Sequence, residues 1–180
     1  AYGGVDAFPI CIKSKDVDEI VNTIKLISGS FGGINLEDIS APRCFEIEAR
    51  LKNELDIPVF HDDQHGTAIV MAAALINAAK VVGKSVDALR VVINGAGAAG
   101  IAIAKYLLNL GVADIVLCDK FGVIVKGQSG MNAAQAQMAE ITNKSGICGT
   151  LSDAMKGADV FIGVSAPNVV SKDMVRSMAK

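Results

Sequence analysis

The chain has no tryptophan, only 4% aromatic residues and no cysteine pair at C-x-x-C spacing. Its four cysteines, Cys11, Cys44, Cys118 and Cys148, lie far apart in apolar or helical surroundings. That speaks against a disulfide framework, and all four are expected as reduced core thiols of a cytoplasmic protein. Lys and Arg total 17 against 19 Asp and Glu, so a formal charge of −2 leaves no basic stripe to follow a phosphate backbone. Nucleic acid is excluded as a partner, and small charged metabolites fit better. The most apolar segment, Ala68 to Ile76, is interrupted by Asn77 and Lys80, well short of the ~20 residues a membrane span requires. No basic segment followed by an apolar signal core stands at the amino end, and there is no low-complexity tract, charge block or long linker. The chain begins at Ala1 rather than Met and is expected to be an internal portion of something longer.

What is present is 51% apolar residue content rich in Ala, Val and Ile, the composition of an α/β protein with a buried parallel sheet. Its 180 residues allow one good core or two small ones. Ala7 to Ile12 is a short apolar run. Ser14 is expected to start an amphipathic helix carrying Val17, Ile20, Val21, Ile24 and Ile27, and S-G-S-F-G-G from Ser28 to Gly33 ends it.

The chemistry gathers between Asn35 and His65. The run Phe31 to Leu36 is expected as a buried strand, with Glu37 and Asp38 at its end, and Ile57 to Phe60 as a second strand ending at Asp62 and Asp63. Between them Ser40 is the expected N-cap, Pro42 sits in the first turn, and Phe45, Ile47, Leu51 and Leu55 form the apolar stripe of a helix. A strand, helix, strand unit of this length favours a parallel pair, which places both acidic ends on one rim. Carboxylates crowded in a cleft demand a counter-charge. A set of hard oxygen donors suits Mg²⁺ or Mn²⁺ rather than zinc, although solvated turn acids give the same pattern. His61 and His65 flank the second pair and could be ligands or proton carriers, although histidines beside carboxylates more often orient them by hydrogen bonding.

A long helix, Ala68 to Val82, follows His65-Gly66-Thr67 and is apolar on nearly every side, as a helix between two layers would be; Gly83 ends it. A domain boundary is expected near 64 to 66, dividing residues 1–64 from 65–180. Arg90 to Ile93 is a β-branched strand, and Asn94-Gly95-Ala96-Gly97-Ala98-Ala99-Gly100 turns it into the helix Ile101 to Leu110. This is G-x-G-x-x-G in its required setting. The glycines permit a tight turn, a close pyrophosphate and close helix packing, and the helix N-terminus offers N–H groups to phosphate. The next strand, Asp114 to Cys118, ends in Asp119 at the expected spacing of ~20 residues. Its carboxylate would accept from the adenosine ribose diol and favour NAD over NADP, while Lys120 beside it weakens that preference.

Further on, Val123 to Val125 is expected to add a hairpin strand, and Ala133 to Thr142 and Leu151 to Met155 are expected as helices, the second capped by Ser152 or Thr150. Asp159 to Val164 is a further strand, and Ser171 caps a last helix, Lys172 to Ala179. Ser165, at the end of that strand, falls on the same rim as Gly95 and could touch the nicotinamide ribose, although a simple strand-to-helix turn accounts for the stretch equally well.

These motifs resemble those of malic enzymes of the short bacterial type. The matching stretches are G-G-I-N-L-E-D-I-S-A-P-R from Gly32, I-P-V-F-H-D-D-Q-H-G-T-A from Ile57, N-G-A-G-A-A-G from Asn94 and G-A-D-V-F-I-G-V-S-A-P from Gly157. The resemblance implies a Rossmann-type, doubly wound parallel sheet in residues 65–180. It follows, in residues 1–64, the C-terminal part of a smaller α/β domain for substrate and metal. It also implies oxidation of malate by NAD or NADP and loss of carbon dioxide to give pyruvate, with Mg²⁺ or Mn²⁺. Glu37, Asp38 and Asp63 would then be metal ligands, their oxygens within about 5 Å of one another, and Asp62 a supporting catalytic acid. The family's tyrosine and lysine, acting as acid and base, precede the region matched by Ala1, and its Asn-Pro motif follows the last helix. None is present; Tyr2 and Lys13 do not match, and Tyr106 reads as packing. The chain alone is therefore expected to have little turnover. Two other classes fit less well: a nucleotide-binding module without turnover, and a metal-independent hydroxy- or amino-acid dehydrogenase. A truncated sheet edge and apolar helices suggest a homo-oligomer, in the simplest case a dimer.

Overall fold

The computed structural model describes residues 3–180; Tyr2 lies outside them. The amino-terminal part begins with α1 (Val17–Ile27) and continues through β1 (Ile34–Leu36), α2 (Arg43–Glu54) and β2 (Val59–His61). β1 and β2 pair in parallel with Leu36 opposite His61, as the crossover predicted. Ile20, Val21 and Ile24 of α1 and Ile47 and Leu51 of α2 close over Leu36 and Val59 in a small core.

Several boundaries differ from expectation. Asp16 rather than Ser14 caps α1, accepting from the Glu19 N–H, while the Ser14 hydroxyl accepts from the Asp16 N–H. The apolar run Ala7 to Ile12 forms no strand, and α1 precedes β1. Pro42, not Ser40, is the N-cap of α2; Ser40 supplies its carbonyl to the Cys44 N–H and its hydroxyl to Arg43. Both strands shrink to three residues, because the glycines of the first and Pro58 before the second break pairing.

After β2 the chain makes a π-helical turn, Asp62–Gly66, that runs straight into α3 (Thr67–Val82). Gly83, at φ +68°, ends it in the left-handed conformation that favours glycine. The continuous helix from Asp62 to Val82 is long and apolar enough to cross a membrane, but it starts on two aspartates and packs into the core through Ala68, Ala72, Leu75 and Ala79. Its other face is not wedged against a layer: Ile69, Val70, Val81 and Val82 are exposed.

The second sheet comprises β3 (Arg90–Asn94), β4 (Asp114–Asp119), β5 (Gly122–Val123) and β6 (Val160–Gly163) in the order β5-β4-β3-β6, parallel except for β5. Both faces are buried, and strand residues alternate between two cores. Val91, Ile93, Ile115 and Leu117 pack under α3, α4 (Ala98–Asn109) and α5 (Ala133–Ile141). Val92, Val116 and Cys118 face α6 (Leu151–Met155) and α7 (Lys172–Arg176). Helices on both faces make the sheet doubly wound, as expected. α4 starts three residues earlier than anticipated, so Gly100 lies in its first turn, and α7 is shorter, still capped by Ser171. Thr150, not Ser152, caps α6.

Only two cysteines are core thiols. Cys44 and Cys118 are buried, and burial pushes the Cys118 thiol up to about 12 and the Cys44 thiol above its ordinary value; Cys11 and Cys148 are exposed.

Asp159 ties the end of α3 to the sheet. Its carboxylate accepts from Lys84 Nζ at 2.6 Å and from the Arg90 N–H at 2.9 Å. Burial alone would raise its pKa, but the Lys84 ammonium and the Arg90 N–H outweigh burial and hold it below the ordinary carboxylate value. A depressed folded-state pKa gives stability that is present above the unfolded value of ~3.9 and is lost as pH falls through the folded value. Asp159→Asn is expected to flatten this acid limb, and Asp159→Ala to cost about 1–3 kcal/mol at neutral pH. Urea melts across the acid range will show an unchanged limb if the carboxylate contributes nothing.

Candidate dinucleotide cleft and acidic rim

β3 delivers Asn94 and the glycine turn to the carboxyl edge of the sheet. Gly95 adopts φ +123°, and a Cβ there would lie 2.7 Å from the Val164 carbonyl oxygen, so only glycine fits. A Cβ at Gly100 would overlap the Gly95 carbonyl oxygen. A Cβ at Gly97 would meet no protein atom and would project into open space. The three positions thus divide as the motif requires: two are packed against backbone, and one leaves room for a ligand to approach. Gly97 is the N-cap of α4 without a side-chain hydrogen bond, so the first-turn N–H groups of Ala98, Ala99 and Gly100 have no capping side chain, an arrangement that suits an anion.

A cleft of about 650 Å³ opens here, bordered by Asn94 to Gly97, Asp119 to Gly122, Gln135, Thr150, Leu151, Ser165, Ala166 and Val169. It lies within the usual size of small-molecule sites. Asp119 ends β4 on its edge; Oδ1 accepts the Phe121 N–H at 2.8 Å. Lys120 sits 4.8 Å from the centre of the exposed Phe121 ring. Ser165 Oγ accepts from Asn94 Nδ2 at 2.8 Å, leaving its own hydroxyl hydrogen free to donate. Gly95, Ala96, Gly97, Asp119 and Ser165 therefore border one cleft, with Ala98, Ala99 and Gly100 behind it.

The acidic residues share the other rim. The β1–β2 register brings Glu37 and Asp38 to the same end as Asp62 and Asp63, and Asp63 Oδ2 accepts the Asp38 N–H at 3.0 Å. Asp38 takes φ +57°, a conformation Asp tolerates better than most residues. The Asp62 carboxylate lies so close to Gly66 that a Cβ there would overlap it. The anticipated meeting of three carboxylates is not seen: among the described residues, no three His, Cys, Asp or Glu side chains converge on a position that could hold an ion. Asp63 bonds to backbone instead.

The histidines also depart from expectation. His65 Nε2 lies 2.6 Å from Glu48 Oε1 rather than bonding to either aspartate, and its ring stands 5.5 Å from that of Phe60. His61 is fully buried, and neither of its ring nitrogens has a hydrogen-bond partner. The residue missed in sequence is Glu48, a buried carboxylate on α2 that receives Lys52 Nζ at 2.8 Å, His65 at 2.6 Å and Gln64 Nε2 at 3.4 Å. Its signal was helical phase, since Glu48 falls on the same face as Cys44, Leu51 and Leu55. The π-helical turn packs in turn against α4, so the acidic rim and the helix that follows the glycine turn are neighbours.

A glycine turn at the carboxyl edge of a doubly wound sheet, with an acid ending the next strand, defines a Rossmann-type dinucleotide-binding protein. Comparison with known proteins narrows this. The malic enzyme NAD-binding domain matches residues 64–180, and the malic enzyme N-terminal domain matches residues 7–52. The chain belongs to the malic enzyme family. It is 57% identical to the bifunctional malic/malolactic enzyme of Bacillus subtilis, over 100% of this chain and 44% of that protein. It is 55% identical to the NAD-dependent malic enzyme of Geobacillus stearothermophilus, over 99% of this chain and 37% of that one. The crystal structure of the NAD-dependent malic enzyme of Thermotoga maritima superimposes with a TM-score of 0.95 at 45% identity, covering 98% of this chain and 47% of that chain. The chain thus spans less than half the length of these relatives.

The glycine geometry separates folding from binding. Gly100→Ala is expected to cost about 3 kcal/mol or more, because backbone must move. Gly97→Ala should cost about 1 kcal/mol as a poorer N-cap and yet abolish nucleotide binding. Denaturant melts paired with NADH titration check both; tight NADH binding by Gly97→Ala would contradict the assigned approach path.

Proposed function

We propose that this chain is the metal-rim and nucleotide-binding portion of an NAD(P)-dependent malic enzyme, acting in oxidative decarboxylation of malate to pyruvate and carbon dioxide. The observation that carries the reading is the adjacency of two sites. A glycine turn built for a pyrophosphate sits on α4, and the helical turn bearing Asp62 and Asp63 packs against that same helix. In this reading residues 1–64 complete a substrate and metal domain, and residues 65–180 bind the nucleotide. The turn from Gly95 to Gly100 holds the pyrophosphate, Asp119 receives the ribose hydroxyls, and the Ser165 hydroxyl faces the nicotinamide ribose.

Glu37, Asp38 and Asp63 are the assigned ligands of Mg²⁺ or Mn²⁺, with Asp62 a supporting acid. The choice of these three rests on the motifs shared with the family, supported by the hard-oxygen donor set and the shared rim and not by convergence of the side chains. When bound, the cation would supply Lewis-acid polarisation of substrate oxygens. The resemblance implies a tyrosine and a lysine as acid and base, and neither is matched within these 180 residues; general acid and base groups typically contribute ~10² to 10⁴ each to rate. The chain by itself is therefore expected to turn over little malate. The reading includes a cytoplasmic location and a homo-oligomer. Four free thiols support the first, and the exposed apolar face of α3 supports the second. A nucleotide-binding module without turnover is the second reading, favoured by the carboxylates' failure to converge.

Thermal melts separate these readings. NADH and Mn²⁺ are each expected to raise the melting temperature, and Asp63→Ala to remove the Mn²⁺ response while keeping the NADH response. No Mn²⁺ response in the unaltered chain would exclude the metal assignment, and no NADH response the nucleotide assignment.

A further inference from the structure

The Ala96 carbonyl stands between two glycines, Gly95 and Gly97, whose backbones have the widest conformational choice of any residue. Backbone bonds hold the turn on either side: the Gly95 N–H donates to the Cys118 carbonyl at 2.9 Å, and the Ile101 N–H to the Gly97 carbonyl at 3.0 Å. The Ala96 carbonyl instead receives a side chain, Gln135 Nε2, at 3.3 Å from the first turn of α5. The orientation of that carboxamide is fixed by chemistry. Its Oε1 accepts the Asn132 N–H at 3.0 Å, which only an oxygen can do, so the NH₂ end must face Ala96. Asn132 Oδ1 accepts the Gln135 N–H at 2.9 Å and completes a reciprocal capping box.

We propose that Gln135 is a positioning residue for the phosphate-binding turn, tying the N-terminus of α5 to the Ala96 carbonyl and holding the Gly95–Gly97 backbone in the conformation that admits a dinucleotide. The inference rests on the nucleotide reading above and adds to it a residue outside the G-x-G-x-x-G motif. Gln135 also borders the cleft, so the bond lies beside the ligand rather than beneath the core.

Gln135→Glu isolates the effect. A glutamate serves a capping box as well as glutamine does, so the α5 cap and the melting temperature should be preserved, whereas the donor to Ala96 is gone. NADH, followed by its fluorescence, is expected to bind roughly three- to tenfold more weakly, the loss typical of one neutral hydrogen bond. Because glutamate also adds charge near a diphosphate, the titration is run at low and at high salt. Repulsion is screened away and a displaced turn is not, so the ratio to the unaltered chain should persist. Gln135→Ala, lacking both bonds, should lose stability as well as affinity. An unaltered NADH affinity in Gln135→Glu, or a deficit that vanishes at high salt, overturns the proposal alone. No NADH binding by the unaltered chain overturns the nucleotide reading and this inference with it.

Discussion

Everything on the nucleotide side depends on one steric constraint, the contact of the first turn of α4 with the Gly95 carbonyl. No side chain can stand at Gly100 without separating the helix from the strand that leads into it. Because that contact is closed, α4 starts immediately after the turn, and its first-turn N–H groups are not taken up by a capping side chain. Gly95, just after β3, lies as close to the Val164 carbonyl, so Ser165 beyond the end of β6 and Asp119 at the end of β4 reach the same opening. Burial of both sheet faces keeps the three strand ends level.

The acidic side is organised by a longer-range tie. Glu48 stands on α2, a helix of the small amino-terminal core, while its partners Gln64 and His65 belong to the turn entering the large one. A buried carboxylate is tolerated only when donors surround it, and here the donors come from both parts of the chain. The rim carrying Asp63 is thus joined to α2 by side chains and to β1 by the Asp38 N–H.

The parallel pairing, the glycine turn, and the strands from Arg90 and Asp114 were legible in sequence, because crossover length, β-branched runs and glycine spacing are local signals. Helix starts were less so. Ser14, Asp16, Ser40 and Pro42 all qualify chemically as cap or first-turn residues, and only the backbone trajectory chooses between them. The π-helical turn left no trace in composition, since Asp62 to Gly66 reads equally well as a strand end. The partnership of His65 with Glu48 spans 17 residues and depends on how α2 lies against the turn, which periodicity does not encode. The exposed face of α3 was misjudged for a related reason: apolar content gives a helix's composition, not the number of layers that cover it.

A π-helical turn is wider than the α-helical repeat by one residue, and that surplus sets an angle. Each residue advances an α-helix by about 100°, so removing one residue between Asp62 and Gly66 would leave a good helix whose buried alanines are swung by that amount relative to the strand carrying His61. The count of residues in this turn, more than their identity, acts as the protractor between the acid-bearing edge and the helix that braces the glycine loop.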